Sequence, residues 1–433
     1  MTYPLALLFM FLVFWRPQEW LFPWLYGWPL LDVIVYAAVL SLAMEGNPTG
    51  SRFPKTPAIM LAVGLWFASI MSHVPHTYFQ GILNTIPETF KISLFLVLLL
   101  VVMNTVNRLR GVILVFLAAA VIMSIHAIMQ KTLGYGLGGG LPLIWFNSMT
   151  GEWVQQSQFY GIFSDPNDLG QLLASSIPLA FAFPRRLRPV QLMLASGVVY
   201  LIALALLSTH SRGTLVGVVA MAACILFLFL PAKWMPYVAL LALMGGLVLC
   251  ATQGGALLDM SARERVVFWG DANRAFKQNP LFGLGYGMFS EITEKSRASH
   301  NAYVSCYTEL GLFGYWFWFN LLTLGVIGCW RTRVAFRRPR NDTQAYLKRL
   351  AGLSIASLVG FAAAAYFLSR AYVFPFFFLF GLLNAIPVIA QRQLPEDHPP
   401  LVNLRKDVLV VGTLASLGSV LYVYASILIL NRG

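Results

Sequence analysis

Charge is what this chain has least of. Asp, Glu, Lys and Arg make up 11% of its 433 residues, against about 25% in soluble domains, and that deficit excludes an ordinary water-soluble fold. Acids are the scarcer sign: 17 Asp and Glu stand against 30 Lys and Arg, for a formal net charge of +13. There is no Asp-x-Asp pair of the kind that holds a divalent cation against a sugar diphosphate, no Walker loop, no His-Glu-x-x-His and no zinc-type Cys/His cluster. No metal and no cofactor is therefore expected. The four cysteines, Cys224, Cys250, Cys306 and Cys329, lie in or beside apolar runs without redox or metal spacing, and read as small buried hydrophobes. The positive charge is spread over loops and forms no compact basic domain, which argues against nucleic acid as a partner. A cleavable secretory leader is not expected either. Met1 to Tyr3 lacks a basic region, and the apolar run that follows ends in Trp15-Arg16-Pro17 without a small-residue cleavage site.

Apolar residues are what the chain has in excess, at 58%. With about 20 apolar residues needed per membrane crossing, the pattern predicts helices at 3–15, 29–45, 57–72, 87–103, 110–130, 167–183, 190–208, 212–230, 234–252, 302–329, 350–368, 371–390 and 408–428. The fold class expected is all-α: a polytopic, GT-C-like membrane protein with 12–13 transmembrane helices and a helical outer loop. The first span is short, and Trp15, Trp20, Trp24 and Trp28 beside it form an interfacial aromatic belt, so a half-span is the alternative there. No internal repeat and no detachable soluble domain is visible, and residues 1–433 are read as a single integral membrane domain.

Alternate connections fall on opposite sides. The set 46–56, 104–110, 184–190, 231–235, 331–349 and 391–407 holds 18 of the 30 Lys and Arg, which places it on the cytoplasmic side. It follows that 73–86, 131–166, 209–212, 253–301 and the turn near Arg370 face outward. Gly134, Gly136 and Gly138 to Gly140 mark the second of these as irregular.

The longest polar interruption, 253–301, is the leading place for chemistry in so apolar a chain. Arg265, Trp269 and Phe276, with Val266, Ala272 and Ala275, share one side of a helix, so an amphipathic helix lying on the membrane surface is expected. Asn279-Pro280 ends it, and Gly283, Gly285 and Gly287 permit a close backbone turn or an approach to a ligand. His300 precedes the span from 302, with Tyr303 and Tyr307 at i+3 and i+7; an interfacial role and a catalytic one both fit that spacing. Arg212, in Ser211-Arg212-Gly213, and Arg370 sit at outer helix mouths. An arginine at membrane depth costs roughly 2.5–3.5 kcal/mol on insertion scales, so each either snorkels to the interface or faces a cavity or partner. Arginine suits phosphate through its planar fork of donors and its permanent charge. In Phe163-Ser-Asp165-Pro166-Asn167-Asp168, Asp165 as N-cap and Pro166 at the first helical position are sufficient reason for the run, with Asn167 or Asp168 left as candidates to face a pocket.

These residues resemble the O-antigen ligase and polymerase superfamily of bacterial envelope glycosyltransferases. The shared pattern is Ser-Arg-Gly before a membrane helix, Arg four residues before Trp, the Asn-Pro-Leu-x-Gly-x-Gly turn, and His-Asn-x-Tyr followed by Glu-Leu-Gly-Leu-x-Gly. The Pro-Asn of the 163–171 run is similar to the family's helix opening, and the whole pattern covers Phe163 to Gly314. The resemblance implies a multi-pass enzyme of the bacterial inner membrane whose periplasmic site, with 253–301 as catalytic loop, moves a glycan from undecaprenyl diphosphate to a hydroxyl acceptor without a metal. The acceptor is a lipid A core, a protein or a growing glycan; a polymerase of lipid-linked repeats is the alternative, and a transporter of a lipid-linked substrate is the rival of another class. Carried over by position, Arg212 and Arg265 hold the diphosphate and His300 activates or orients the acceptor hydroxyl. Beside that carry-over, Arg370, by its placement at an outer helix mouth, and Asn301 and Tyr303, next to His300, are further candidates for substrate contact.

Overall fold

The computed structural model describes residues 1–45, 54–147, 151–186, 188–234, 237, 260–292, 298–368 and 370–431. The span expected over 234–252 lies almost wholly outside them, as do 253–259 and 293–297 of the polar interruption 253–301. Among the described residues the chain is an all-α polytopic membrane protein. Its helices are α1 (Thr2–Trp15), α2 (Pro17–Trp20), α3 (Leu30–Met44), α4 (Pro57–Met71), α5 (Phe79–Val102), α6 (Val106–Leu133), α7 (Pro166–Ala182), α8 (Pro189–Ser208), α9 (Arg212–Phe229), α10 (Met260–Gln278), α11 (Ala302–Ala335), α12 (Asp342–Ala364), α13 (Phe374–Gln391) and α14 (Thr413–Leu430). Nine helical segments here are long and apolar enough to cross a membrane, with α1 and α3 as shorter apolar helices. Helix is the form such runs take because it satisfies every backbone group within the segment where lipid cannot. A nine-residue π-helix, Leu404–Gly412, leads into α14.

The chain divides into two compact units. Unit 1 comprises Met1–Pro54, Leu98–Ala222 and Arg333–Ala364. Its core packs α12 against α7, where Gln171 Nε2 donates to the Phe361 carbonyl at 3.0 Å and the Ser357 hydroxyl to the Ser175 carbonyl. Phe14 of α1 meets Phe116 edge-on at 5.4 Å between centroids. One element departs from the expected irregular outer loop: β1 (Leu143–Asn147) and β2 (Glu152–Gln156) pair antiparallel, Leu143 opposite Gln156 and Phe146 opposite Trp153.

Unit 2 comprises Lys55–Val97, Ala223–Thr332 and Ala365–Gly433. Trp318 of α11 lies at its centre, donating to the Ala371 carbonyl at 2.9 Å and edge-on to Phe376 at 5.4 Å. Asp407 of the π-helix is fully buried and takes both guanidinium nitrogens of Arg331, at 2.6 and 2.7 Å.

Within each unit, connections that the charge pattern assigns to one face touch one another. In unit 1, Arg186 pairs with Asp342 and Arg110 Nε donates to the Phe183 carbonyl at 3.1 Å, joining three basic connections. In the same unit, Gln156 and Ser157 bond the carbonyls of Thr209 and Ser208, joining two of the opposite set. In unit 2, His76 bonds the Gly283 carbonyl at 2.8 Å and the Tyr286 amide donates to Ser72 Oγ at 2.9 Å, which joins 73–86 to 253–301.

Candidate functional site

The polar interruption builds its described part from α10. Phe268, Trp269, Ala272, Ala275 and Phe276 are all buried, so the amphipathic stripe is real. It faces the protein's own helices, not the bilayer surface, because Asn273 in the middle of the stripe anchors it twice. Asn273 Nδ2 donates to the Tyr424 carbonyl of α14 at 3.1 Å, and its Oδ1 accepts from the Tyr307 hydroxyl of α11 at 2.6 Å. Phe276 completes the contact, 4.9 Å edge-on to Tyr307. Asn273 was not anticipated; its position four residues after Trp269 on the apolar face is the signal that marks it. Arg265, one turn before Trp269, is half-buried.

Trp269 also reaches the segment that carries the histidine. Its indole N–H donates to the Ser299 carbonyl at 2.7 Å, directly before His300. The chain then reverses: His300 has φ 51°, a conformation uncommon outside glycine and found where surrounding structure imposes it. Asn301 starts α11 by accepting from the amides of Tyr303 and Val304 at 3.0 and 3.2 Å, a side-chain cap that satisfies two orphan donors. His300 therefore lies on the turn ahead of the helix, and helical spacing does not align it with Tyr303 and Tyr307. Asn301 is buried, with its Oδ1 used as the cap. Tyr303 is half-buried beside Trp318 and Tyr366, at 5.5 and 6.0 Å between ring centroids. Arg370 is half-buried next to Ala371, whose carbonyl Trp318 holds.

The glycine turn performs a structural task that the sequence did not disclose. Helix α11 is broken at Gly311, with φ 63° and ψ −169°, and a break inside an apolar helix leaves backbone groups to be satisfied. The turn satisfies them. Leu284 and Gly285 amides donate to the Thr308 and Glu309 carbonyls at 2.9 and 3.0 Å, while Leu312 and Phe313 amides donate to the Pro280 and Leu281 carbonyls at 2.8 and 3.0 Å. A Cβ at Gly283 would collide with the Glu309 backbone, and one at Gly311 with the Leu281 carbonyl. The two glycine motifs are thus halves of one clasp. The Glu309 carboxylate, buried in the break, faces the amides of Gly287 and Phe289. Burial, followed by the Glu88 and Glu309 carboxylates, pushes the Tyr286 phenol well above its ordinary range, so it serves as a donor, to Glu88 at 3.2 Å. His73 and His76, from the 72–78 connection, back this turn; their role was not anticipated.

Arg212 belongs to unit 1, while Arg265, His300, Asn301, Tyr303 and Arg370 belong to unit 2. Arg212 is the exposed first residue of α9. The turn before it is tightly built: Ser211 Oγ donates to Asn167 Oδ1 at 2.7 Å and accepts from the Thr214 hydroxyl at 2.7 Å. Asp165 caps α7 as expected, accepting from the Asn167 amide at 2.8 Å. Asn167 thus holds the Ser-Arg-Gly turn, and Asp168 is buried.

Residues 197–319 match the family model of the O-antigen ligases. Over this stretch the chain is similar to the O-antigen ligases. The matched stretch runs from within α8 to within α11 and takes in Arg212, Arg265, the clasp and His300. In a sequence comparison no curated protein matches the chain.

Proposed function

We propose that this protein is a membrane glycosyltransferase that moves a saccharide from a polyprenyl diphosphate, in the family's case undecaprenyl diphosphate, to a hydroxyl acceptor on the periplasmic face of the bacterial inner membrane. The observation that carries this reading is the family match, which falls on the stretch holding Arg212, Arg265 and His300 within an apolar multi-helix fold. Transfer breaks the bond between the sugar's anomeric carbon and the diphosphate oxygen and forms one to the acceptor oxygen. Negative charge grows on the leaving diphosphate, and preorganised arginines in a water-poor site stabilise it by several kcal/mol. Arg265 is assigned that role, and Arg212 by the same resemblance. His300 accepts or orients the acceptor proton, as imidazole is suited to do near neutral pH. Arg370, Asn301 and Tyr303 are proposed to line the substrate's approach.

Ligase action on a lipid A core, a protein or a related acceptor is the first reading, and polymerisation of lipid-linked repeats the second. The chemistry is shared; the acceptor differs. The test is turnover in detergent, with no gradient, of a synthetic undecaprenyl-diphosphate glycan. Wild type is expected to release the lipid diphosphate, with and without chelator, and His300→Ala and Arg265→Ala to lose that release. Unchanged release in both variants would overturn the site, a strict metal requirement would overturn arginine neutralisation, and a ladder of repeats from donor alone would reject the ligase reading.

A further inference from the structure

We infer that the β1–β2 hairpin is a membrane-docking element, seated among phospholipid headgroups, whose root fixes the turn that presents Arg212. The hairpin is apolar on both faces. Ile144, Phe146 and Trp153 on one face are 58%, 50% and 72% exposed, and Leu143 and Trp145 on the other are exposed as well. Exposed apolar patches of this kind mark an interaction surface. The occupant follows from where the hairpin begins. The chain enters it from α6, a candidate membrane span, whose end and exit carry exposed Leu133, Tyr135 and Leu141, so the apolar surface continues from the span into the strands. Glu152 is the one ionisable side chain within the two strands. Tryptophan concentrates where apolar body and polar edge meet headgroups. A two-stranded hairpin has two unpaired edges, which hydrocarbon does not tolerate and the hydrated headgroup layer does.

The root of the hairpin is polar and fastened to unit 1. Gln155 Nε2 donates to the Gln130 carbonyl of α6 at 2.6 Å. Gln156 takes the Trp145 indole N–H on its Oε1 at 3.0 Å and donates through Nε2 to the Thr209 carbonyl at 3.1 Å, three residues before Arg212. The Ser157 amide adds a bond to the Ser208 carbonyl at 3.0 Å. A hairpin held by lipid thus holds the Ser-Arg-Gly turn. This second half of the inference rests on the proposed role of Arg212.

The full-length protein is reconstituted in vesicles of phosphatidylethanolamine and phosphatidylglycerol, with or without phosphatidylcholine brominated high or low on its acyl chains. The difference in fluorescence between wild type and Trp153→Phe gives the contribution of Trp153, and Trp145→Phe reads the other face. The high-brominated lipid is expected to quench that contribution several-fold more than the low-brominated one, with aqueous iodide having little effect. Strong iodide quenching without bromolipid quenching would overturn docking, and cross-linking between copies through Trp153→Cys would replace lipid by a second copy. Gln156→Ala is expected to lower glycan transfer several-fold with quenching unchanged; unchanged transfer would overturn the link to Arg212. If Arg212→Ala itself retains transfer, the proposed role of Arg212 fails while the quenching result still decides the docking half.

Discussion

Gly311→Ala attacks the clasp at its tightest point. With φ 63° and ψ −169°, residue 311 occupies a region essentially restricted to glycine, where another residue costs about 1–3 kcal/mol. The added methyl also meets the Leu281 carbonyl and the Phe282 amide nitrogen. Backbone cannot swing aside as a side chain does, so the turn must move and the bonds from Leu312 and Phe313 at 2.8 and 3.0 Å are lost. Each contributes about 1 kcal/mol net, and the sum is about 3–5 kcal/mol. If alanine instead mends α11 into a continuous helix, Leu284 and Gly285 lose their acceptors and the direction is unchanged. Gly287→Ala is the matched control. Its φ is 73° but a Cβ there meets nothing within 4 Å, so it bears only the left-handed strain of about 1–2 kcal/mol. Heating of membrane proteins is commonly irreversible, so the assay compares the fraction surviving as monodisperse protein in detergent across a temperature series under one heating protocol. Gly311→Ala is expected to be lost at clearly lower temperature than Gly287→Ala, with wild type most resistant. Equal resistance of the two variants, or the reverse order, would refute the clasp.

Two further outcomes follow from individual contacts. Trp269→Phe keeps an aromatic ring in the buried position but removes the indole's second ring together with the N–H bonded to the Ser299 carbonyl at 2.7 Å; with the bond at about 1 kcal/mol and a further cost for the vacated space, it is expected to lower kcat several-fold and heat resistance modestly, and an unchanged kcat would detach that bond from His300. Burial, then Lys131, hold the His210 imidazole below its ordinary 6.5, so on acidification the unfolded chain takes up the proton first and stability present above about pH 6.5 declines as pH falls. His210→Asn, which tolerates the left-handed φ of 50° there, is expected to flatten the acid limb of a stability profile between pH 5 and 7; an unaltered limb would assign it to other groups.

The helices were legible because bilayer thickness and backbone satisfaction leave an apolar run one solution. Twelve of the thirteen expected spans coincide with helices among the described residues, and 234–252 lies almost wholly outside them. The grouping of the loops into two sets has the same physical basis: charge is too costly in lipid to be placed at random, and within each unit loops of one set touch one another. The hairpin was hidden by its neighbours. Five glycines within 134–140 read as irregular chain, and Leu-Ile-Trp-Phe lacks the alternation that marks a half-buried strand, since both faces are apolar. The break in α11 was hidden by hydropathy, because Leu310, Leu312 and Phe313 carry the apolar run straight through Gly311. The surface-helix reading of α10 had the right face and the wrong partner: periodicity tells which side is apolar, and only Asn273, polar within that side, betrays that the partner is protein.

These corrections change which motif residues bear on chemistry. Gly283, Gly311, Asn301 and Asn167 each have a backbone or turn to hold, so replacing any of them is expected to abolish transfer by undoing a segment, and loss of activity there assigns no chemical role. The same reasoning makes the charge-keeping and shape-keeping substitutions the informative ones. Arg265→Lys retains a cation on a half-buried helix position but loses the paired donors that fit a diphosphate, so it separates fork geometry from charge without disturbing Asn273 or Trp269. His300 sits on a positive-φ turn held by Trp269 on one side and the Asn301 cap on the other, and a residue that tolerates that backbone, such as asparagine, removes the imidazole while leaving the turn in place. Transfer lost in His300→Asn with heat resistance retained would therefore be evidence for the imidazole itself, which the alanine variant alone cannot supply.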